Sequence, residues 1–330
     1  MSSWMHRVGA LFGSRFAPLV AASAVSRVVP PPLRPPETAR PASEPVMDEA
    51  ASPAVDLRQR FFEWVIGAAA APSDTLQHDE SLLLAHLDAV LGSDDLRAAL
   101  LPRAPAVIPQ LLNSLRDEGQ SATALAQRVM RDPHLVAEVI RMANSAHARA
   151  DERVADIAQA IGRIGINGLR RAIARVVLKP MFDGSADTLS ARCAQRLWQH
   201  SDAQAVACQQ GAAARGLDPF EGYLTGLMHN VGWTAALRAI DRSKGGAPSR
   251  FSRAFVAAFE QRRESFFARL VIPWQLTEGL TALGVALLDG GLTGARSPLG
   301  EALRAAEQRA SLEMLGVGSL LESGGTAIAH

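Results

Sequence analysis

Apolar residues return every three or four positions through most of this chain, and no stretch alternates convincingly with period two, so the pattern predicts helices and an all-α fold. The best-signalled helix starts at Asp218, a good N-cap, with Pro219 at the first helical position and Glu221 three residues past the cap. At about 100° per residue Phe220, Tyr223, Leu224, Leu227 and Met228 form one apolar stripe, while Gly222, Gly226 and His229 lie opposite. Two glycines on one helix face cost propensity. Their expected use is to let another helix's backbone come close and bring its side chains within reach of His229. Gly232 is placed at the C-terminus of this helix.

Upstream the boundary signals come at short intervals. Ser121 caps a helix through Met130, and Asp132 and Pro133 open another with Leu135, Val136, Val139, Ile140 and Ala143 on its buried face. Asp156 caps a third, which Gly165 ends, and Asn167 caps a fourth that runs to Lys179 before Pro180 stops it. Helices joined by short caps make a compact orthogonal bundle. Before it, Leu57, Phe61, Phe62, Trp64, Val65 and Ile66, then Leu83, Leu84, Leu87 and Leu91, mark a helical prelude packed on the main domain. The expected division is a disordered Arg/Pro-rich tail over 1–46, an N-terminal helical extension over 47–100, the main domain over 101–290, and a C-terminal helical segment with a frayed end over 291–330. In the tail, Trp4, Met5, Val8, Leu11, Phe12 and Phe16 keep the spacing of a weak membrane-surface helix, which Gly9, Gly13 and Pro18 weaken. A signal-peptide reading of the same stretch has too short an apolar run and too long a flank. No run reaches the roughly 18 apolar residues that a membrane-spanning helix needs.

At 330 residues, 48% of them hydrophobic, the chain can bury a large core, and a net charge of +1 argues against a protein generally coated by nucleic acid. It leaves room for a local basic patch. Arg171, Arg175 and Lys179 form an i, i+4, i+8 row with Arg163 and Arg170 nearby and no acid from Ile157 to Phe182. Such a row suits an acidic protein face or a nucleotide; the plainer reading is a solvated helix face with its charges toward the C-terminus. Nucleic acid is not the expected partner, because the aromatic interleaving of a single-strand binder is missing. Cys193 and Cys208 fall in one predicted helix, roughly 22 Å apart, too far to pair within it, which fits a reducing cytoplasm. The chain has no Gly-x-Ser-x-Gly elbow, Walker loop, His-Glu-x-x-His or Cys-x-x-Cys.

Six motifs stand in register: Leu101-Pro102-Arg103-Ala104-Pro105, Arg131-Asp132-Pro133-His134-Leu135, Arg141-Met142-Ala143-Asn144-Ser145-Ala146, Ala160-Ile161-Gly162-Arg163-Ile164-Gly165-Ile166, Trp198-Gln199-His200-Ser201, and Gly226-Leu227-Met228-His229-Asn230-Val231-Gly232. Together, over roughly 101 to 290, they resemble the HDOD domain, and Arg60 to Gly67 resembles the lead-in of its stand-alone bacterial members. The resemblance implies an HD-like multi-helix bundle related to the HD and HD-GYP phosphohydrolases and a non-catalytic, cytoplasmic signalling output module. Such a module acts through protein partners, in motility, stress or virulence regulation, with no resident cofactor.

By the same resemblance His200 falls where active relatives carry their first metal-binding histidine, His229 falls on the His of the HD pair, and Asn230 replaces the Asp. Arg262 to Leu280 resembles a segment that carries further histidines in relatives, yet this chain has none between His229 and His330; Glu307 lies near a later acidic ligand. Asn offers one neutral oxygen where Asp offers an anion. A catalytic site needs about three or four ligands to hold a metal and activate water, so the expectation is a vestigial site of His200, His229 and Asn230 with no metal. The alternatives are a residual metal-dependent phosphohydrolase and a nucleotide or nucleic-acid receptor built on the basic helix 168–179. His200 shares a face with Cys193, Leu197, Gln204 and Ala207, as a hydrogen-bonded core histidine would. Asn144 and Ser145 are read as a helix-end capping device, and His134 and His147 as exposed at helix ends.

Overall fold

The computed structural model describes residues 53–101, 127, 129–145, 154, 156–185 and 187–317. The tail over 1–46, the cap at Ser121 and His147 lie outside them. The described helices are α1 (Pro53–Ile66), α2 (His78–Leu91), α3 (Asp94–Leu100), α4 (Pro133–Ser145), α5 (Ile157–Leu178), α6 (Leu189–Ala213), α7 (Pro219–His229), α8 (Val231–Asp241), α9 (Arg253–Val271), α10 (Glu278–Gly294) and α11 (Pro298–Met314). The described residues contain no strand, only an isolated bridge between Ala71 and Ser252. None of their helices is long and apolar enough to cross a membrane.

The caps act where the composition placed them. Asp218 accepts from the Phe220 N–H at 2.9 Å, Asp132 from the His134 N–H at 2.8 Å, and Asp156 from the Gln159 N–H at 2.9 Å. Gly165 has φ 64°, a left-handed conformation that breaks α5 into two segments, as the Gly165 stop and Asn167 restart predict. Gly232 is a correction. Helix α7 already ends at His229, Asn230 is the joint, and Gly232 lies inside α8, where a methyl group would collide with the Arg263 carbonyl and the Phe267 side chain of α9. Its absent side chain serves helix contact, not helix termination.

Helix α6 packs along α7 and α11, α8 along α9, and α9 along α10. The α6–α7 contact depends on Gly222 and Gly226. A Cβ on Gly226 would stand 2.7 Å from the Gln204 carbonyl oxygen, and one on Gly222 2.8 Å from that of Cys208. One core contains Phe61, Phe62 and Val65 of α1 and Leu83, Leu84 and Leu87 of α2 together with residues of α6 to α11. At its centre Trp233 lies 4.9 Å from Phe259 and 5.6 Å from Phe62, ring to ring. A second cluster joins α4 to α5 through Leu135, Val139, Ala143, Leu169 and Ile173. The buried Glu80 of α2 is satisfied by the Ser252 N–H and hydroxyl, both at 2.6 Å, and by the Gln77 N–H at 2.8 Å, which ties α2 to the start of α9.

Gly226→Ala is expected to lower the unfolding free energy by about 1–3 kcal/mol through overpacking against backbone. Gly162→Ala, at a helical position with open space around it, should raise it by up to about 1 kcal/mol. Urea unfolding of the two variants checks the pair, and equal effects would refute the close α6–α7 approach.

Candidate functional site

Helices α6, α7, α9 and α11 bring a set of polar side chains into the core. His200, His229 and Asn230 are all fully buried. The Asn230 amide nitrogen lies 3.2 Å from the Leu197 carbonyl, 2.8 Å from His200 Nδ1 and 3.0 Å from Ser201 Oγ. A backbone carbonyl can only accept, so it fixes which end of the amide faces α6. Asn230 therefore donates to His200 Nδ1, the His200 proton sits on Nε2, and that nitrogen reaches Ser311 Oγ of α11 at 3.2 Å. Phe61 of α1 closes the outer side, its ring 4.3 Å from that of His200.

His229 faces a cation. Arg263, 2% exposed, donates through Nη2 to Glu260 of its own helix and to Glu307 of α11, and its Nη1 lies 3.4 Å from His229 Nε2. Glu307 is also 3.8 Å from His229 Nδ1. Gln204 lies 3.0 Å from His229 Nδ1 through its amide nitrogen, so the imidazole meets N–H groups on both sides. A neutral imidazole has one lone pair. Arg263 has no acceptor to offer, so the Gln204 amide must turn and bring Oε1, which has no other partner, to Nδ1–H. Burial opposes the Arg263 charge, but Glu260 and Glu307 more than compensate and hold it as a cation. Phe267 packs edge-on against His229 at 5.1 Å, and the Arg263 guanidinium lies 5.8 Å from the centre of the Trp233 ring.

His200, His229 and Asn230, grouped in the sequence by the HDOD resemblance, lie together in the fold, and Glu307 stands beside them. Arg263 and Glu260 were missed. The signal was present: Arg263 has Phe259 four positions before it and Phe266 and Phe267 three and four after, which puts it in the buried stripe of α9. The basic row of α5 is neither a free binding face nor a fully solvated one. Arg175 pairs with Glu138 of α4 and Asp202 of α6 and lies 5.3 Å from the centre of the Trp198 ring. Arg171 donates to Gln209 at 3.1 Å and approaches Tyr223, while Arg170 lies 4.5 Å over Phe220. Lys179 is exposed, 3.8 Å from Asp183, and Arg163 is half-buried. Read from sequence, the row lacked acids because they come from other helices. Asn144 also differs from the capping expectation. Its amide pairs with both backbone groups of Val154, at 2.8 and 3.0 Å, and so clamps a more distant segment. His134 is exposed.

The described residues form an all-helical, HD-like bundle with His229 at the α7–α8 junction and His200 within α6. The chain belongs to the HDOD domain family, whose pattern matches residues 101–280. Among solved structures, a provisionally named metal-dependent phosphohydrolase from Shewanella amazonensis SB2B is 18% identical over 73% of this chain and 91% of its own, with a TM-score of 0.53. A provisionally named phosphohydrolase from the same organism is 23% identical over 69% and 81%, TM-score 0.48. An HDOD domain protein of unknown function from Geobacter sulfurreducens is 20% identical over 71% and 78%, TM-score 0.47. At these identities the likeness is one of fold. No curated protein matches the chain.

Burial first, then electrostatic repulsion with the neighbouring His229 ring and the Arg263 charge, depress His200 from its ordinary 6.5 to about 3; burial and Arg263 hold His229 well below 6.5. Below pH 6.5 the unfolded chain binds protons that the folded one refuses. The histidine contribution is complete above pH 6.5 and is lost as pH falls toward 3. The loss amounts to at most about 1.4 kcal/mol per pH unit for each ring. Glu264 opposes this. Burial raises it from 4.5 to about 7, so its contribution is lost as pH rises through that window. Between pH 4.5 and 6.5 the two histidines outweigh the one carboxyl. Urea unfolding should therefore show stability rising with pH, and His200→Gln should remove about 1.4 kcal/mol per pH unit of that slope. An unchanged slope would mean that His200 titrates normally in the fold.

Proposed function

We infer that this protein is a non-catalytic regulatory output module of the bacterial cytoplasm that works by binding a protein partner and turns over no substrate. The reading is carried by Asn230. Where an HD-type metal centre needs an anionic oxygen, this chain has a neutral amide that donates its N–H toward His200 Nδ1, removing that nitrogen's lone pair from any ligand role. The residues present do not fit a metal. With a guanidinium lying between His229, Glu260 and Glu307, no three His, Cys, Asp or Glu side chains among the described residues stand as a group that could hold one. No activated water can then be generated, because that chemistry needs an open coordination position on a bound ion. What a regulatory reading requires is a rigid body with specific surfaces, and a close-packed core that draws on α1, α2 and α6 to α11 supplies the rigidity.

Two experiments test this reading. Protein purified without chelators is expected to carry less than roughly a tenth of a metal ion per chain and to hydrolyse neither bis(p-nitrophenyl) phosphate nor cyclic di-GMP with added manganese or iron. Turnover that disappears in His229→Ala would replace the reading with a residual phosphohydrolase. Candidate partners captured from the native host must then bind again as purified pairs; if none does, the partner-binding half fails. Separately, Asn230→Asp faces a carboxylate toward the Leu197 carbonyl and the His200 lone pair, and is expected to cost about 3 kcal/mol of stability without conferring metal binding. An Asp variant as stable as the parent and loaded with metal would contradict the role given to Asn230.

A further inference from the structure

We propose that Arg263 is the built-in cation of this site: its guanidinium fills the place a divalent ion would take among His229 Nε2, Glu260 and Glu307, and closes the centre to metal. The inference rests on the non-catalytic reading and extends it from a missing ligand to an occupied site. One imidazole lone pair and two carboxylates, from three helices, are the donor types that zinc or manganese accepts. Here all three turn to the two terminal nitrogens of one side chain. The guanidinium brings one permanent positive charge to the two carboxylates, half of what a divalent ion would bring. It differs in chemistry. It has no exchangeable position and cannot bind water as a Lewis acid, so the ligands are held in place while the reactivity is lost.

The backbone is shaped to the same end. Gly232 lets α8 press directly on α9 at the Arg263 carbonyl, which fixes the root of the side chain. Trp233 and Phe267 wall the guanidinium and the imidazole it faces. Arg263 can therefore reach only inward, toward α7 and α11. If its role is that of a cation, taking it away leaves two half-buried carboxylates and a buried imidazole lone pair around a cavity, and a divalent ion with its waters becomes the natural occupant.

The test uses the full chain with Mn2+ and Zn2+ as probes, read by elemental analysis, calorimetric titration and thermal unfolding. The parent protein is expected to be indifferent to both ions and to chelator. Arg263→Ala is expected to bind about one ion per chain and to gain melting temperature when it does, including refolding only with metal if the apo form is unfolded. Arg263→Lys, which keeps a positive charge, should stay metal-indifferent. Arg263→Ala combined with Glu307→Gln should weaken the acquired affinity by about tenfold or more. The proposal is overturned if Arg263→Ala folds without taking up metal, if metal does not help it fold, or if Arg263→Lys takes up metal as readily. Metal held by the parent at His229 would overturn the non-catalytic reading as well, whereas a metal-free parent with a metal-refusing Ala variant overturns this inference alone.

Discussion

A guanidinium taken out of water must be surrounded by acceptors, because the several kcal/mol lost on desolvation return only when every N–H finds an oxygen or nitrogen at good geometry. Arg263 meets most of that demand through its two terminal nitrogens, with Glu260 on α9, Glu307 on α11 and His229 at the end of α7, while its buried Nε–H has no acceptor. The arrangement cannot be relaxed piecemeal. Moving α11 away strands a charge in the core, and moving α7 away leaves an imidazole without its donor. The close α8–α9 contact at Gly232 and the close α6–α7 contact at Gly226 bring these helices near enough for the pairing to exist.

Beside this charged half lies a neutral one. Asn230, His200, Ser201 and Ser311 form a chain of hydrogen bonds that carries no net charge and needs none. The two halves share a wall at consecutive residues, His229 and Asn230, and the break between α7 and α8 aims one toward Arg263 and the other toward α6. Both histidines are held below their ordinary range, by burial first and by the Arg263 charge after it.

Much of this was legible in the sequence because the signals were local. Caps at Asp132, Asp156 and Asp218, the break at Gly165 and the glycine face of α7 are written within a few residues each, whereas the grouping of His200 with His229 came through the resemblance to the HDOD domain. The rest depended on partners distant along the chain. Arg171 and Arg175 looked like a basic face because Glu138, Asp202 and Gln209 belong to other helices. For Arg263 the local signal was the flanking Phe259, Phe266 and Phe267, while Glu307 and His229, which complete its surroundings, lie on other helices. Gly232 could be read as a helix end by composition alone; its real neighbour, the backbone of α9 at Arg263, is remote in sequence.

The segment that matches the HDOD family ends at residue 280, yet the polar cluster does not. Phe61 reaches it from α1, and Glu307 and Ser311 from α11, all outside the matched range. The inherited module and the physical module therefore have different borders. A gene fusion that transplanted only the recognisable stretch would leave an arginine short of one counter-ion and a histidine open to solvent. Recombination that preserves this protein has to carry both flanks with it.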